Sequence, residues 1–469
     1  MKKRIVINPL TRISGFLEID VQVENHVITS AKTKGNMFRG FEQMMVGRNP
    51  YDAIYLTQRI CGICSTAHSV GSSLALEDAM LVKVSEEGRY LRDIIHGCEF
   101  LQNHLRHFYQ YTVPDYAILP EVSQIYHTDY RDFRLPKKVN DELVAHYFEA
   151  LPMSRLAHQM LAVMGGKAPH NHGIFVGGVA TPPTADQIIQ MKSILQSLSA
   201  FIETKAIPDV YTIAKYYDDY YQIGKGPGHL MSFGVFHQYK SLGTLYVDPL
   251  IYQNGEIRPF KEKNITESIE RSWYDGKKEY APLEEMSEPN MDKPRAYSWV
   301  KAPRYNGHPF EVGPLARLWL SGKYQRGIST MDRTIARVLE LKVVADVLRV
   351  LLNQIHPNIS LQKEWELPEQ AIGAGLVDTT RGALGHWLKM ENRILTFYQI
   401  ITPSAWDFSP QDAHGVHGTA EQALIGTTIQ DLNQPIEIGR ILRSFDPCMS
   451  CATHVYSPGL DPFTIQVFG

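Results

Sequence analysis

The alternation of apolar and polar residues predicts a small sheet at the start of the chain. Ile19, Val21 and Val23 alternate with polar residues up to a turn near Glu24-Asn25. A period of two is typical of a strand with one buried face. The first 35 residues are therefore predicted to form a hairpin or meander.

From about residue 86 the apolar period lengthens to three and four residues, which is the spacing of one helix face. The apolar positions of this run are Leu91, Ile94, Ile95, Cys98, Leu101, Leu105 and Phe108. Cys98 lies on the apolar face, so we expect a small buried hydrophobic residue there rather than a metal ligand.

Further amphipathic runs cover about 185–220 and about 329–356. The second is predicted to stop at His356-Pro357, because proline disfavours helical backbone in the residue before it. Residues 221–325 are rich in glycine, proline and aromatic residues and predict irregular loops with short strands. The predicted fold class is α+β, mainly α: a central bundle of long helices, a small N-terminal antiparallel sheet and irregular peripheral lobes.

Composition narrows the possible functions. The 469 residues exceed the usual size of one core, yet no linker, low-complexity tract or repeat divides them, so we expect a single domain over 1–469. The net charge of −3 gives no support to nucleic-acid binding. No run of 18 apolar residues occurs, and no apolar segment follows the basic start. Neither direct membrane insertion nor a signal peptide is therefore predicted.

Four of the five cysteines form two Cys-X-X-Cys pairs far apart in the chain, Cys61 with Cys64 and Cys448 with Cys451. Four converging thiolates favour nickel, zinc, copper or iron–sulfur chemistry. A structural zinc site is the ordinary use of such pairs, but zinc ribbons keep them roughly 15–20 residues apart. A disulfide framework is disfavoured, because the cysteines are few and odd in number.

The residues around the pairs distinguish these alternatives. The first pair stands in Arg-Ile-Cys-Gly-Ile-Cys (59–64) and the second in Asp-Pro-Cys-Met-Ser-Cys (446–451), and a histidine follows each. Together they closely resemble the two signatures of the nickel–iron hydrogenase large subunit. Further segments resemble that family at 8–13, 37–42, 301–305, 311–317, 381–387 and 402–406. This ordered set is far more specific than one Cys-X-X-Cys pair.

The resemblance implies the catalytic subunit of a hydrogenase. Its reaction would be the reversible heterolytic cleavage of dihydrogen, with electrons passed to an iron–sulfur small subunit. A hydrogen-sensing regulatory subunit with the same cofactor is the alternative. Cys61 and Cys448 would bind nickel alone, and Cys64 and Cys451 would bridge nickel to an iron that carries CO and cyanide.

The resemblance also assigns residues around the metals. Arg381 and Ser404 would donate hydrogen bonds to the cyanides, and Pro403 would shape the apolar side. His68 stands four residues after Cys64, so on a helix it returns to the same face. It would donate a hydrogen bond to the bridging sulfur.

Two carboxylates and a third metal complete the implied site. Asp446 and Asp115 would lie above the open side of the nickel–iron centre. A magnesium ion would be held by Glu42, the main-chain carbonyl of Ile400 and His454, since hard oxygen ligands suit magnesium.

Two positions depart from the family pattern. The family usually carries a glutamate, its first proton acceptor, where this chain has Ser14. A serine hydroxyl relays a proton but does not hold one as a carboxylate does. Thr380 stands where a proline usually precedes the pocket arginine.

The residues after His454 resemble a maturation tail. A dedicated endopeptidase would remove 455–469 after nickel-insertion proteins have loaded the metal, leaving 1–454; a permanent C-terminal strand is the alternative. The chain would mature in the cytoplasm and then be membrane-associated or periplasmic through its small subunit, with a cytoplasmic location as the alternative.

Overall fold

The computed structural model of the protein describes residues 2–120, 132–359 and 365–452. It combines helices with several separate antiparallel sheets, so the α+β class is confirmed. Within these ranges no helix has both the length and the apolar content that a membrane crossing requires.

The chain starts with the predicted antiparallel sheet. Its strands are β1 (Lys2–Ile7), β2 (Leu17–Glu24) and β3 (Val27–Gly35), with β2 in the middle. Leu17, Ile19, Val21 and Val23 are buried in one hydrophobic cluster with residues near the other end of the described chain, such as Met449. The N-terminal sheet is therefore packed close to the second cysteine pair.

Helices contain more of the described residues than strands do. In chain order they are α1 (Phe41–Met45), α2 (Asp52–Leu56), α3 (Ser65–Ala79), α4 (Glu86–Arg106), α5 (Lys137–Gly165), α6 (Ala185–Phe201), α7 (Ile207–Tyr216), α8 (Pro314–Leu320), α9 (Thr330–Leu351), α10 (Pro403–Asp407), α11 (Thr419–Leu424), α12 (Ile436–Ser444) and α13 (Met449–Ala452). Helix α4 packs against α5 and α9, and α6 packs against the same two helices. Every apolar position predicted for this face is buried, although Phe108 lies in the π-helical segment His107–Thr112 that follows α4.

Two helical runs differ from their predicted extent. Helix α9 ends at Leu351 rather than reaching His356. The Asn353 and Gln354 N–H groups instead donate to carbonyls three residues earlier. The helix therefore ends in a tighter turn that precedes Pro357. The run at 185–220 is divided into α6 and α7 by a π-helical segment, Ile202–Ala206.

The strands between α5 and α9 are short, in agreement with the sequence. They are β4 (Ile174–Phe175), β5 (Gly178–Val179), β6 (Leu230–Ser232), β7 (Leu250–Gln253), β8 (Glu256–Pro259), β9 (Ile265–Ser268), β10 (Tyr274–Asp275), β11 (Glu279–Tyr280), β12 (Glu288–Pro289) and β13 (Ala302–Tyr305). They form small separate sheets around the helices.

A second long sheet was not predicted. It contains β14 (Gln370–Thr379), β15 (Gly382–Glu391) and β16 (Ile394–Ile401) in antiparallel order. Strand β14 lies directly on α3: a Cβ atom at Gly375 would come within 2.1 Å of the Gly71 carbonyl oxygen. This close packing holds Arg381, in the β14–β15 turn, beside the start of α3.

Candidate metal centre

The two cysteine pairs converge on one buried point. Their four sulfur atoms all lie within 4.8 Å of one another. Cys61 Sγ is 3.3 Å from Cys448 Sγ, and Cys64 Sγ is 3.2 Å from Cys451 Sγ. These separations exceed the ~2.05 Å of a disulfide, and all four thiols are free. Four soft ligands at these distances suit a metal centre.

Main-chain contacts hold the second pair against the N-terminal segment. The Ser14 N–H donates to the Pro447 carbonyl at 3.2 Å, and the Met449 N–H donates to the Ser14 carbonyl at 2.7 Å. Gly15 follows with a φ of +81°, and a Cβ atom there would lie 2.6 Å from the Ser450 nitrogen. A glycine is required at this approach, which fixes Ser14 alongside Cys448.

Arg39 joins the two cysteine pairs. Its guanidinium donates to the Ile60 carbonyl, just before Cys61, and to the Ser450 carbonyl, just before Cys451. One side chain thus sets the separation of the two loops. The sequence placed Arg39 in a segment that resembles the family but gave no sign of this contact.

Three of the four thiols have a pKa that departs from the usual value of a cysteine. Contact with Cys448 lowers the pKa of Cys61 well below its usual value. Contact with the same Cys448 raises the pKa of Cys64 well above its usual value, and burial does so for Cys451. Four adjacent buried sulfurs do not all ionise by themselves, because each new charge repels the others. A bound cation would allow all four to be thiolates.

A small cavity adjoins three of the sulfurs. It is lined by Cys64, Ala67, His68, Thr379, Thr380, Arg381, Leu384, Pro403, Ser404, Cys448 and Cys451. His68, Arg381, Pro403 and Ser404 are therefore brought together with the cysteines. The Ser404 hydroxyl oxygen also accepts the Cys448 N–H at 2.9 Å.

Arg381 is buried and held on one side. Its Nε donates to the Asp446 carbonyl, and its Nη2 donates to Asp446 Oδ1 and Asn103 Oδ1, each at 2.9 Å. Nη1 is buried and has no hydrogen-bond partner among the described residues. Burial opposes the charge, but Asp446 and the nearby thiolates raise the pKa of Arg381 well above its usual value. A fixed cation with one unpaired nitrogen, Nη1, thus borders the cavity.

Asp446 is fixed in turn by several groups. It adopts a φ of 60°, a left-handed conformation that aspartate tolerates better than most residues. Burial opposes its charge, but Arg381, His107 and Arg337 hold the pKa of this carboxyl below its usual range. Asn103 donates to Oδ2 at 2.9 Å. Asp446 is therefore a permanent anion beside Arg381.

Asp115 lies in a separate ion-pair cluster. Arg12 donates to its Oδ1 at 2.5 Å, and Arg443 donates to both carboxylate oxygens at 2.6 and 2.7 Å. Despite burial, these arginines lower the pKa of Asp115 to about 2. In the described part of the chain no hydrogen bond or ion pair links Asp115 to the four cysteines.

His68 belongs to a buried chain of hydrogen-bonding side chains. Its Nδ1 is 3.2 Å from His386 Nε2, and His386 Nδ1 is 2.8 Å from the Tyr398 hydroxyl. Burial lowers the pKa of His68 to about 4, so the ring is neutral near pH 7. His386 thus restrains His68 from the side of the second sheet. Sequence reasoning missed His386 and Tyr398, although both lie in or near segments that resemble the family.

Two of the three predicted magnesium ligands, Glu42 and Ile400, lie in the described part of the chain. Glu42 Oε1 accepts the Ile400 N–H at 3.0 Å, and Oε2 is 3.5 Å from the Lys301 ammonium nitrogen. The carboxylate therefore contacts the Ile400 peptide through its N–H, and the magnesium site stays a prediction. His454 lies outside the described residues.

The comparisons with known proteins agree with this centre. The sequence model of a family described as nickel-dependent hydrogenase matches residues 39–131, 121–328 and 320–454. The chain is 35% identical to the periplasmic [NiFeSe] hydrogenase large subunit of Desulfomicrobium baculatum, over 97% of this chain and 95% of that protein. It is 30% identical to the hydrogenase-2 large chain of Escherichia coli (strain K12), over 97% of this chain and 98% of that one.

A solved structure matches over the same length. The Ni-Fe-Se hydrogenase from D. vulgaris Hildenborough in the reduced state superposes with a TM-score of 0.93 and 35% identity. The match covers 97% of this chain and 100% of that chain. Selenium appears in the name of that relative, whereas all four candidate ligands of this chain are cysteines.

Proposed function

The chain belongs to the nickel-dependent hydrogenase family, and from this premise we propose that it is the catalytic large subunit of a hydrogenase. Its reaction is the reversible, heterolytic cleavage of dihydrogen into protons and electrons. The convergence of four buried cysteine sulfurs within 4.8 Å carries the proposal. The names of the relatives reported above give no support to the hydrogen-sensing alternative.

The four cysteines would hold nickel and iron, with Cys61 and Cys448 on nickel and Cys64 and Cys451 shared between the metals. When bound, this centre would supply the Lewis acid and the electron acceptor of the reaction. The fit rests on the four soft ligands and on the unpaired Nη1 of Arg381, a donor suited to an anionic cyanide on the iron. Ser404 would donate to the second cyanide.

The surrounding residues would orient the centre and exclude water. Asp446 and Asn103 accept hydrogen bonds from Nε and Nη2 of Arg381. Only Nη1 of the guanidinium is left to donate into the cavity. Pro403 and Leu384 cover the apolar side of the cavity. His68 would donate to the bridging sulfur, with His386 fixing its ring. Asp115 would act at a greater distance, through the arginines that it binds.

Glu42, the Ile400 carbonyl and His454 would hold magnesium. Removal of 455–469 and a single-domain mature chain, 1–454, stay predictions, because residues 453–469 lie outside the described part. Electrons would pass to an iron–sulfur small subunit, since the relatives are named as large subunits. The relative from D. baculatum is named as periplasmic, and we propose the same location here.

Infrared spectroscopy of the purified protein tests the proposed function. We expect bands from metal-bound CO and cyanide, together with nickel and iron in the metal analysis. Active protein that contains zinc alone and lacks these bands would refute the nickel–iron centre. The experiment requires no variant, so a folding defect does not affect its outcome.

The position of Ser14 leads to a prediction about proton transfer. Ser14 is half-buried, its main chain flanks Cys448, and its hydroxyl lies 3.4 Å from that of Ser450. A carboxylate there would be a better base for a thiol proton than a hydroxyl. Ser14→Glu is therefore expected to raise hydrogen–deuterium exchange activity roughly tenfold or more.

Ser14→Gln is the matched control, because glutamine has the size of glutamate but does not take up a proton near neutral pH. It should leave the exchange activity near that of the wild type. Equal rates for the two variants, or an unfolded Ser14→Glu protein, would contradict the placement of Ser14 on the proton path.

A further inference from the structure

The helix that follows the first cysteine pair lacks a cap of its own. Cys64 is the N-cap residue of α3 and makes no side-chain hydrogen bond to the first turn. Its sulfur lies among the other three sulfurs instead. The first N–H groups of a helix have no partner within the helix, so a group from elsewhere must accept them.

Glu99 of α4 supplies this missing cap. Its Oε2 accepts the Thr66 N–H at 2.7 Å, and its Oε1 accepts the Ala67 N–H at 3.0 Å. The side chain is only 2% exposed, and no lysine, arginine or histidine pairs with it among the described residues. Burial raises the pKa of this carboxyl, while the Thr66 and Ala67 N–H groups and the Thr66 hydroxyl favour its charged form.

The two bonded amides lie between Cys64, which the proposed function makes a shared ligand, and His68, which it makes a donor to the bridging sulfur. A shift of this turn would move the sulfur and the imidazole together. Arg39 and Gly375 restrain the loop before α3 and the body of α3. Glu99 restrains the turn between these two points, from the opposite helix.

We propose that Glu99 is a positioning residue of the metal centre: its carboxylate holds the first turn of α3 and thereby sets the positions of Cys64 and His68. The effect on the metals rests on the proposed function. The cap itself depends only on the two hydrogen bonds and on the absence of a capping hydrogen bond from the Cys64 side chain. An ordinary structural cap would stabilise α3 without changing the electronic state of the metals.

Three variants of the purified holoenzyme test this role. Glu99→Gln has the same shape but presents an NH₂ group to one of the two amides. Glu99→Leu removes both acceptors. Glu142→Gln, an exposed change on α5, is the control. The measurements are the exchange rates of the Thr66 and Ala67 amides, the CO stretching band, and nickel and iron per chain. These three are made at pH 9, because burial raises the pKa of Glu99 to about 8, and a pH profile of activity is recorded beside them.

In Glu99→Gln we expect one of the two amides to exchange roughly tenfold faster, as the loss of one hydrogen bond predicts. In Glu99→Leu both amides should exchange faster. The CO band should shift in both variants, with metal content retained in Glu99→Gln. Glu142→Gln should match the wild type in every measurement.

Three results would overturn the proposal. Unchanged amide exchange in Glu99→Leu would show that Glu99 does not cap α3. Faster exchange with an unchanged CO band would show that Glu99 stabilises α3 without positioning the metal centre. A changed pH profile of activity with unchanged exchange and CO band would make Glu99 a proton-holding group instead. Absence of CO and cyanide bands in the wild type would refute the proposed function, while amide exchange would still report on the cap.

Discussion

Alanine at any one of Cys61, Cys64, Cys448 or Cys451 is expected to reduce hydrogenase activity to background and to lower the nickel content of the protein. Each sulfur lies within 4.8 Å of the other three, so each substitution removes a ligand from the same centre. Metal binding also requires thiolates, and no other described cysteine, aspartate, glutamate or histidine joins this group. Nickel and iron per chain, measured beside activity, are the readouts.

Cys98→Ala is the matched control for these variants. Cys98 is equally buried but belongs to the large hydrophobic cluster around α4. Its replacement should cost about 1 kcal/mol of stability, through a small loss of buried surface, and leave the metals in place. Full activity in any of the four ligand variants, or loss of nickel in Cys98→Ala, would contradict the assignment.

Local signals in the sequence predicted much of this protein. The period of two in β2 and the period of three to four in α4 depend on neighbouring residues alone, and both elements occur as predicted. The convergence of the cysteine pairs was predictable for another reason. Two pairs of thiolates, each pair in one short motif, have little use apart from a shared metal.

The missed features depend on contacts between distant segments. Helix α5 contains Pro152, a residue that normally interrupts a helical pattern, so its 29 residues gave no clear signal. The sheet of β14 to β16 is buried against α3 and lacks a simple alternation of apolar and polar residues.

Side-chain roles were hidden for the same reason. Arg39 acts on carbonyls that lie 21 and 411 residues away. Glu99 acts on amides 32 and 33 residues away. Both residues contact main-chain atoms, which carry no sequence signal of their own. The sequence thus identified the candidate ligands, whereas the groups that hold the ligand loops emerged only from the fold.

The second prediction with a large expected effect concerns the guanidinium of Arg381. Arg381→Lys should retain nickel and iron but lower turnover by about 10²- to 10³-fold, the usual loss when one preorganised donor is removed. Nε and Nη2 bind Asp446 and Asn103, which leaves Nη1 for the cavity. A lysine has one nitrogen, and the anionic Asp446 would hold it away from the cavity. Turnover per nickel and the cyanide infrared bands are the measurements.

Arg304→Lys controls for the general cost of a buried lysine. Arg304 is 1% exposed and donates to Asp412 at 2.8 Å, away from the cysteines. That variant should lose stability but keep its turnover per nickel and its cyanide bands. If Arg381→Lys also kept both, the free donor would not act on the centre. If only Arg381→Lys lost turnover while its metals and fold persisted, the planar guanidinium would be the feature that the reaction requires.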